Sequence, residues 1–229
     1  MFHNKACLRA GAFLSLLLLP PIAWSHGVAG GDASYLESVT GLQLFPLMYL
    51  GAKHMVTGYD HLLFLAGVIF FLYRLKDVAL YVTLFAIGHS VTLLLGVLGG
   101  IHANAYIVDA IIGLSVVYKA LENVGAFKRM GMRIDSRVAV LLFGLAHGFG
   151  LSTKLQDLHL SPVGLVGNIV AFNVGVELGQ FAALALILVG FQLWRRSGTF
   201  VRGGYVANVL IMTAGFVLFG YQMTGFFLA

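Results

Sequence analysis

Apolar residues in this chain come in long unbroken runs rather than in stripes, and short polar or basic connections separate the runs. A helix needs about 20 residues to cross a hydrocarbon core of about 30 Å. Measured against that length, the runs near 58–73, 78–98, 105–121, 138–153, 163–193 and 205–227 predict six transmembrane helices. The fifth run is long enough to tilt or to break near Asn168, and the first and fourth are short, as suits helices held inside a bundle. Residues 43–56 are apolar over only about three to four helical turns, which predicts an interfacial or re-entrant helix leading into the first span. The expected fold class is therefore all-α: a polytopic membrane protein, a single six-helix bundle preceded by a short helix.

The first 25 residues follow a different pattern. Lys5 and Arg9 precede a ten-residue apolar stretch at 10–19, Pro20 and Pro21 end it, and Ala23-Trp24-Ser25 places small residues where a signal peptidase reads. The stretch is too short to span, so residues 1–25 read as a secretory signal cleaved after Ser25. The one cysteine, Cys7, lies inside this segment, so the expected mature chain holds no thiol and neither a disulfide nor a thiolate metal site.

Composition agrees with a lipid solvent: 59% of residues are hydrophobic, 10% are charged, and the mean hydropathy is +0.92. The net charge of +5 does not point to nucleic acid, because the basic residues sit in connections rather than in a stripe among aromatics. Arg74 and Lys76 follow the first run, Lys119, Lys128, Arg129, Arg133 and Arg137 lie around the connection after the third, and Arg195, Arg196 and Arg202 separate the last two. The remaining connections carry only Lys154. By the positive-inside rule the mature N-terminus and the C-terminus both lie outside, which a cleaved signal also requires. The 29 glycines, with Gly144, Gly148 and Gly150 on one run and Gly175 and Gly179 on another, predict close approach of helix backbones.

Ionisable groups at membrane depth cost about 3 kcal/mol or more each, so each present calls for a partner or a task. Here they gather at one level: Asp60 and His61 on the first run, His89 on the second, Asp109 on the third, His147 on the fourth and Glu177 on the fifth, all in the outer half or near the midplane. Gly58 permits a bend that folds His54 back toward Asp60 and His61. Asn173, Glu177 and Gln180 share one helical face, which must look into the bundle. Lys119 and Glu122, three apart near the inner surface, read as an ion pair. His26 would gain a free α-amine on cleavage, and its two nitrogens would chelate a metal ion, with His54 or His159 completing the site. Imidazole and carboxylate donors together suit nickel, cobalt, zinc or copper.

The elements His54-x5-Asp60-His61-Leu-Leu-Phe-Leu, Gly88-His89-Ser90-x-Thr92, Ala146-His147-Gly148 and Phe172-Asn173-x-Gly175-Val176-Glu177-x-Gly179-Gln180 resemble the HupE/UreJ family of hydrogenase and urease accessory membrane proteins over essentially the whole mature chain. That resemblance implies a cleaved signal, about six spans in a bacterial inner membrane, and permeation of nickel or sometimes cobalt without an ATPase. It implies His54, Asp60 and His61 as metal-recognition residues. One family motif, F-H-G-x-A-H-G-x-E, is incomplete: Phe143 stands at its first histidine and Gly150 at its glutamate. The sequence is closer to the divergent branch, and Glu177 is the carboxylate placed to stand in.

Three functions follow as expectations. The first is a divalent-metal permease or delivery protein, with the metal ion as substrate, His54, Asp60, His61, His89, His147, Glu177, Asp109 and His26 as candidate ligands, and metalloenzyme maturation proteins as partners. The second is an intramembrane zinc hydrolase, with Ser90 or Ser152 supporting an oxyanion, although no H-E-x-x-H or G-x-S-x-G is present. The third is an assembly factor that moves no ion.

Overall fold

The computed structural model describes residues 30–158 and 161–229, and these are helical with no strand. In chain order the helices are α1 (Gly30–Ser38), α2 (Leu44–Thr57), α3 (Tyr59–Ile69), α4 (Leu75–Gly99), α5 (Ala105–Asn123), α6 (Ala126–Arg129), α7 (Ser136–Gln156), α8 (Leu165–Arg195) and α9 (Phe200–Leu228). The expected signal segment, His26 and His159 lie outside the described residues.

Four helices, α4, α7, α8 and α9, are long and apolar enough to cross a membrane. Six spans were expected, and the difference has two physical sources. α5 has 19 residues but carries Asp109, Lys119 and Glu122. The first expected span is divided at Gly58 into α2, 14 residues, and α3, 11 residues, and α3 ends at Ile69 rather than running to Tyr73. α2 packs along α8 and buries Leu47, Leu50, Gly51 and Met55. α8 runs unbroken past Asn168.

Three helix pairs build the bundle: α2 with α8, α4 with α7, and α5 with α9. Each is a glycine contact of the kind that lets backbones meet in lipid. A Cβ at Gly51 would strike the Phe172 carbonyl, and one at Gly175 the Met48 carbonyl. Between α4 and α7, Gly144 packs on Phe85 backbone and Gly148 on His89 backbone. Between α5 and α9, Gly113 faces Phe219 and Gly215 faces Val117. Residue numbers rise together across the first two pairs and oppositely across the third, so α2/α8 and α4/α7 are parallel and α5/α9 antiparallel. α3 stands at the centre and touches α2, α4, α5, α8 and α9.

Polar clamps hold the ends. Asn168 on α8 accepts a hydrogen bond from Gln43 N and donates one to Gly41 O, both 2.8 Å, which fixes the entry to α2. At the opposite end Arg195 Nη2 donates to Phe70 O at 2.7 Å and Ile69 O at 3.3 Å, closing the carbonyl terminus of α3 where the helix dipole favours a cation. Its guanidinium also lies 4.2 Å from the Tyr73 ring centre. Lys119 pairs with Glu122 at 2.6 Å, as the three-residue spacing predicts, and Ser136 joins Glu122. Leu178, Phe181, Leu186, Val189 and Leu193 of α8 stay exposed, a face that suits lipid.

Candidate functional site

The break between α2 and α3 makes the site. Gly58 leaves the helical region at φ −75° and ψ 101°, and its N–H still donates to His54 O at 2.9 Å. The chain turns there without a longer loop, so His54 at the end of α2 and His61 in the first turns of α3 face each other, ring centres 5.4 Å apart. His61 is then 5.8 Å from the ring of His89 on α4 and 5.0 Å from that of His147 on α7. Four histidines from four helices thus surround one point of the bundle, with His61 in the middle. His61 and His147 are fully buried, and His89 and Asp60 nearly so.

Asp60 does not reach outward for its partner. Its Oδ1 accepts from the backbone N–H of His61 at 2.7 Å and from His61 Nδ1 at 2.9 Å. The carboxylate therefore sets the His61 tautomer, with the proton on Nδ1 and the lone pair on Nε2. On α7, Phe143 O accepts from His147 Nδ1 at 2.7 Å, which places that ring's lone pair on Nε2 as well. A metal-ligating histidine typically gives its other N–H to a carboxylate or a backbone carbonyl, and His61 and His147 each carry one of these two arrangements. His54 Nε2 is buried and makes no hydrogen bond among the described residues, and the His89 ring stands against Asn173.

Two imidazoles on one tetrahedral ion, with metal–nitrogen bonds of about 2.0 Å, hold their ring centres about 5 Å apart. The separations around His61 fall near that value. Among the described residues no three His, Asp or Glu side chains stand in coordinating geometry in this conformation. The cluster is a gathered set of nitrogen donors, not an assembled coordination sphere.

The other expected residues lie around it. Glu177 accepts from Ser90 Oγ at 3.2 Å, and Ser90 Oγ accepts from Asn173 Nδ2 at 2.8 Å, so the polar face of α8 meets α4 beside His89. Buried Asp109 is bound by the partly buried Lys154 at 2.7 Å, an ion pair joining α5 to α7. His26 is outside the described residues. Lys154 counts in the sequence only as a charge in a connection; its signal was that it is the lone basic residue on that side. Phe64, Phe85 and Phe143, which pack under the histidines, carry no sequence signal against an apolar background.

Two findings come from comparison with known proteins. A family model described as HupE / UreJ protein matches residues 31–229. No curated protein and no solved structure matches the chain.

Proposed function

The chain belongs to the HupE/UreJ family, which is associated with nickel or cobalt uptake or with an accessory role for hydrogenase and urease, and from that premise we propose that it is a permease or delivery protein for a divalent transition-metal ion. The observation that carries this reading is the convergence of His54, His61, His89 and His147 from four helices on one buried point. Neutral imidazoles add no net charge to the bundle when no ion is bound, which limits the cost of keeping such a site in lipid. Nitrogen donors without thiolate favour nickel, cobalt, zinc or copper(II) over calcium or magnesium. A gathered but unassembled donor set suits an ion in transit, because binding that is too complete would hold the ion rather than pass it on.

In this reading α2 and α3 together form the first of six crossings and α5 the third. The directions of neighbouring helices support it. α4 opposes α3, with Phe64 against Phe85 and His61 against His89; α7 opposes α5, with Asp109 against Lys154 and Glu122 against Ser136; and α8 opposes α4. The basic connections then collect at one end, which becomes the cytoplasmic side of an inner membrane, with both mature termini outside. An ion entering from outside meets His54 at the bend, and His61, His89 and His147 take it into the bundle. Asp60 holds the His61 ring in the ligand tautomer throughout.

The test is metal content of the purified mature protein together with uptake of nickel, cobalt, zinc and copper into proteoliposomes, wild type beside His61→Ala and His147→Ala. The expected result is uptake of one or more ions that falls at least tenfold in both variants. Full uptake by His61→Ala would refute the site. One zinc retained per chain with no uptake would transfer the cluster to an intramembrane zinc hydrolase.

A further inference from the structure

The histidine cluster is floored by phenylalanine. Three of the four helices that carry a histidine to the centre also carry a phenylalanine one turn nearer the basic end: Phe64 three residues after His61, Phe85 four before His89, and Phe143 four before His147. Their rings meet, with centres 5.3 Å apart for Phe64 and Phe85 and 5.8 Å for Phe64 and Phe143. The column continues through Tyr118, 5.1 Å from Phe143, to Phe127 on α6, 5.0 Å further on. Phe64 and Phe85 are fully buried. A dication driven straight inward from His61 or His147 would meet ring faces in place of the donors that must replace its hydration, and burying a charge without such donors is strongly unfavourable.

Beside that column, α4 and α8 enclose a seam of oxygens and amides. At the level of the histidines Asn173 stands beside the His89 ring. Asn173 Oδ1 and His89 Nε2 are both buried, and Asn173 is 7% exposed. One turn inward Glu177 accepts from Ser90 at 3.2 Å, and one turn beyond that Gln180 donates to Val82 O at 3.3 Å. Because α4 and α8 are antiparallel, Asn173, Glu177 and Gln180 descend along α4 from Ser90 to Val82, which lies inward of Phe85. The seam therefore passes the phenylalanine floor. At its head the His89 imidazole and the Asn173 amide, both buried, face each other from adjacent helices and offer one nitrogen and one oxygen to a metal ion. A cation bound there would take the place of the contact between them.

Resting on the permease reading, we infer that ions leave the histidine cluster sideways, through His89 Nε2 and Asn173 Oδ1, onto an oxygen-lined exit leg of Ser90, Glu177 and Gln180 between α4 and α8, while Phe64, Phe85 and Phe143 seal the central route. The ion exchanges nitrogen ligands for oxygen ligands as it descends. Nickel and cobalt bind more weakly to oxygen donors than to imidazole, so release toward the cytoplasm is built into the donor order.

The experiment separates binding from passage in Asn173→Leu, Glu177→Gln and Gln180→Leu. Equilibrium dialysis of purified protein with nickel or cobalt reads the cluster, and uptake into proteoliposomes reads the whole path. The expected result is binding within about threefold of wild type in Glu177→Gln and Gln180→Leu, with uptake reduced tenfold or more in all three. Glu177→Gln keeps the bond from Ser90 and is the variant least able to disturb packing; retained cluster binding certifies that each protein is folded. Wild-type uptake by Asn173→Leu and Glu177→Gln would overturn the exit leg. Uptake and binding lost in parallel in Glu177→Gln and Gln180→Leu would overturn it too, making the seam part of the first site. Wild-type protein that binds metal and moves none would instead refute the permease reading, and the exit leg with it.

Discussion

Replacing Gly58 by alanine tests the bend that makes the site. The backbone there, φ −75° and ψ 101°, is open to any L residue, so the substitution carries no backbone strain. At such a position Gly→Ala stabilises a protein by about 0.4–1 kcal/mol through the unfolded chain. Opposing this, the new Cβ would lie 2.9 Å from His61 Nδ1 and 3.2 Å from both Asp60 Oδ1 and His54 O. Ordinary contacts begin near ~3.5 Å, so the His61 ring must retreat by about half an ångström within a closed interior. Overpacking of that order costs about 1–3 kcal/mol, and the Asp60 to His61 bond stretches with it. The net expectation is a loss of about 1–2 kcal/mol. If it falls on the binding-competent arrangement, metal affinity weakens about tenfold, since 1.4 kcal/mol is one decade. Thermal unfolding in detergent with and without nickel or cobalt, and equilibrium dialysis, measure both quantities. The sign decides the matter: an alanine variant that melts higher and binds as tightly as wild type would show that Gly58 is only a hinge and that the Asp60 and His61 geometry does not depend on it.

Two further outcomes follow from the clamps around the cluster. Lys154→Met leaves Asp109 charged and buried and should cost about 3–5 kcal/mol, whereas the double variant Asp109→Leu/Lys154→Met should recover most of the loss; a folded double variant that has lost uptake would return Asp109 to the transport path. Asn168→Leu removes the partner of both Gln43 N and Gly41 O and should lower stability by about 1–2 kcal/mol. Hydrogen exchange would then quicken at Gln43 while the amides of α3 keep their protection, and unchanged exchange at Gln43 would show that the clamp carries no load.

The membrane class and the histidine cluster were legible in the sequence because both rest on contrast. A histidine in an apolar run stands out, and His54, His61, His89 and His147 could be placed at one depth by counting residues from the loops. The pairing of Lys119 with Glu122 was legible for a similar reason, since it depends only on local helical spacing. What could not be read depends on contacts between distant segments. The short run at 43–56 reads as an interfacial or re-entrant helix, and nothing in it tells that Gly51, Gly175 and Gly179 bring α2 against α8. The phenylalanine floor was invisible because Phe64, Phe85 and Phe143 sit among other apolar residues, and only the fold shows that they share a layer. The pairing of Asp109 with Lys154 could not be read because the two lie 45 residues apart.

The pairing of the helices also sets the order in which the protein can be made. Helices that follow one another in the chain are not the principal partners: α2 waits for α8, α4 for α7, and α5 for α9. During synthesis the first half of the molecule therefore enters the bilayer with its glycine faces uncovered and with His61 and His89 lacking their final neighbours. Helices inserted one by one associate only afterwards, when their mates arrive. Long-range contacts of this kind are slow to form, and two of the three wait for the last two helices to be made. A nascent chain stopped before α8 would hold all four clustered histidines and the α4/α7 contact but neither the α2/α8 nor the α5/α9 contact, so the last two helices complete the packing around the cluster.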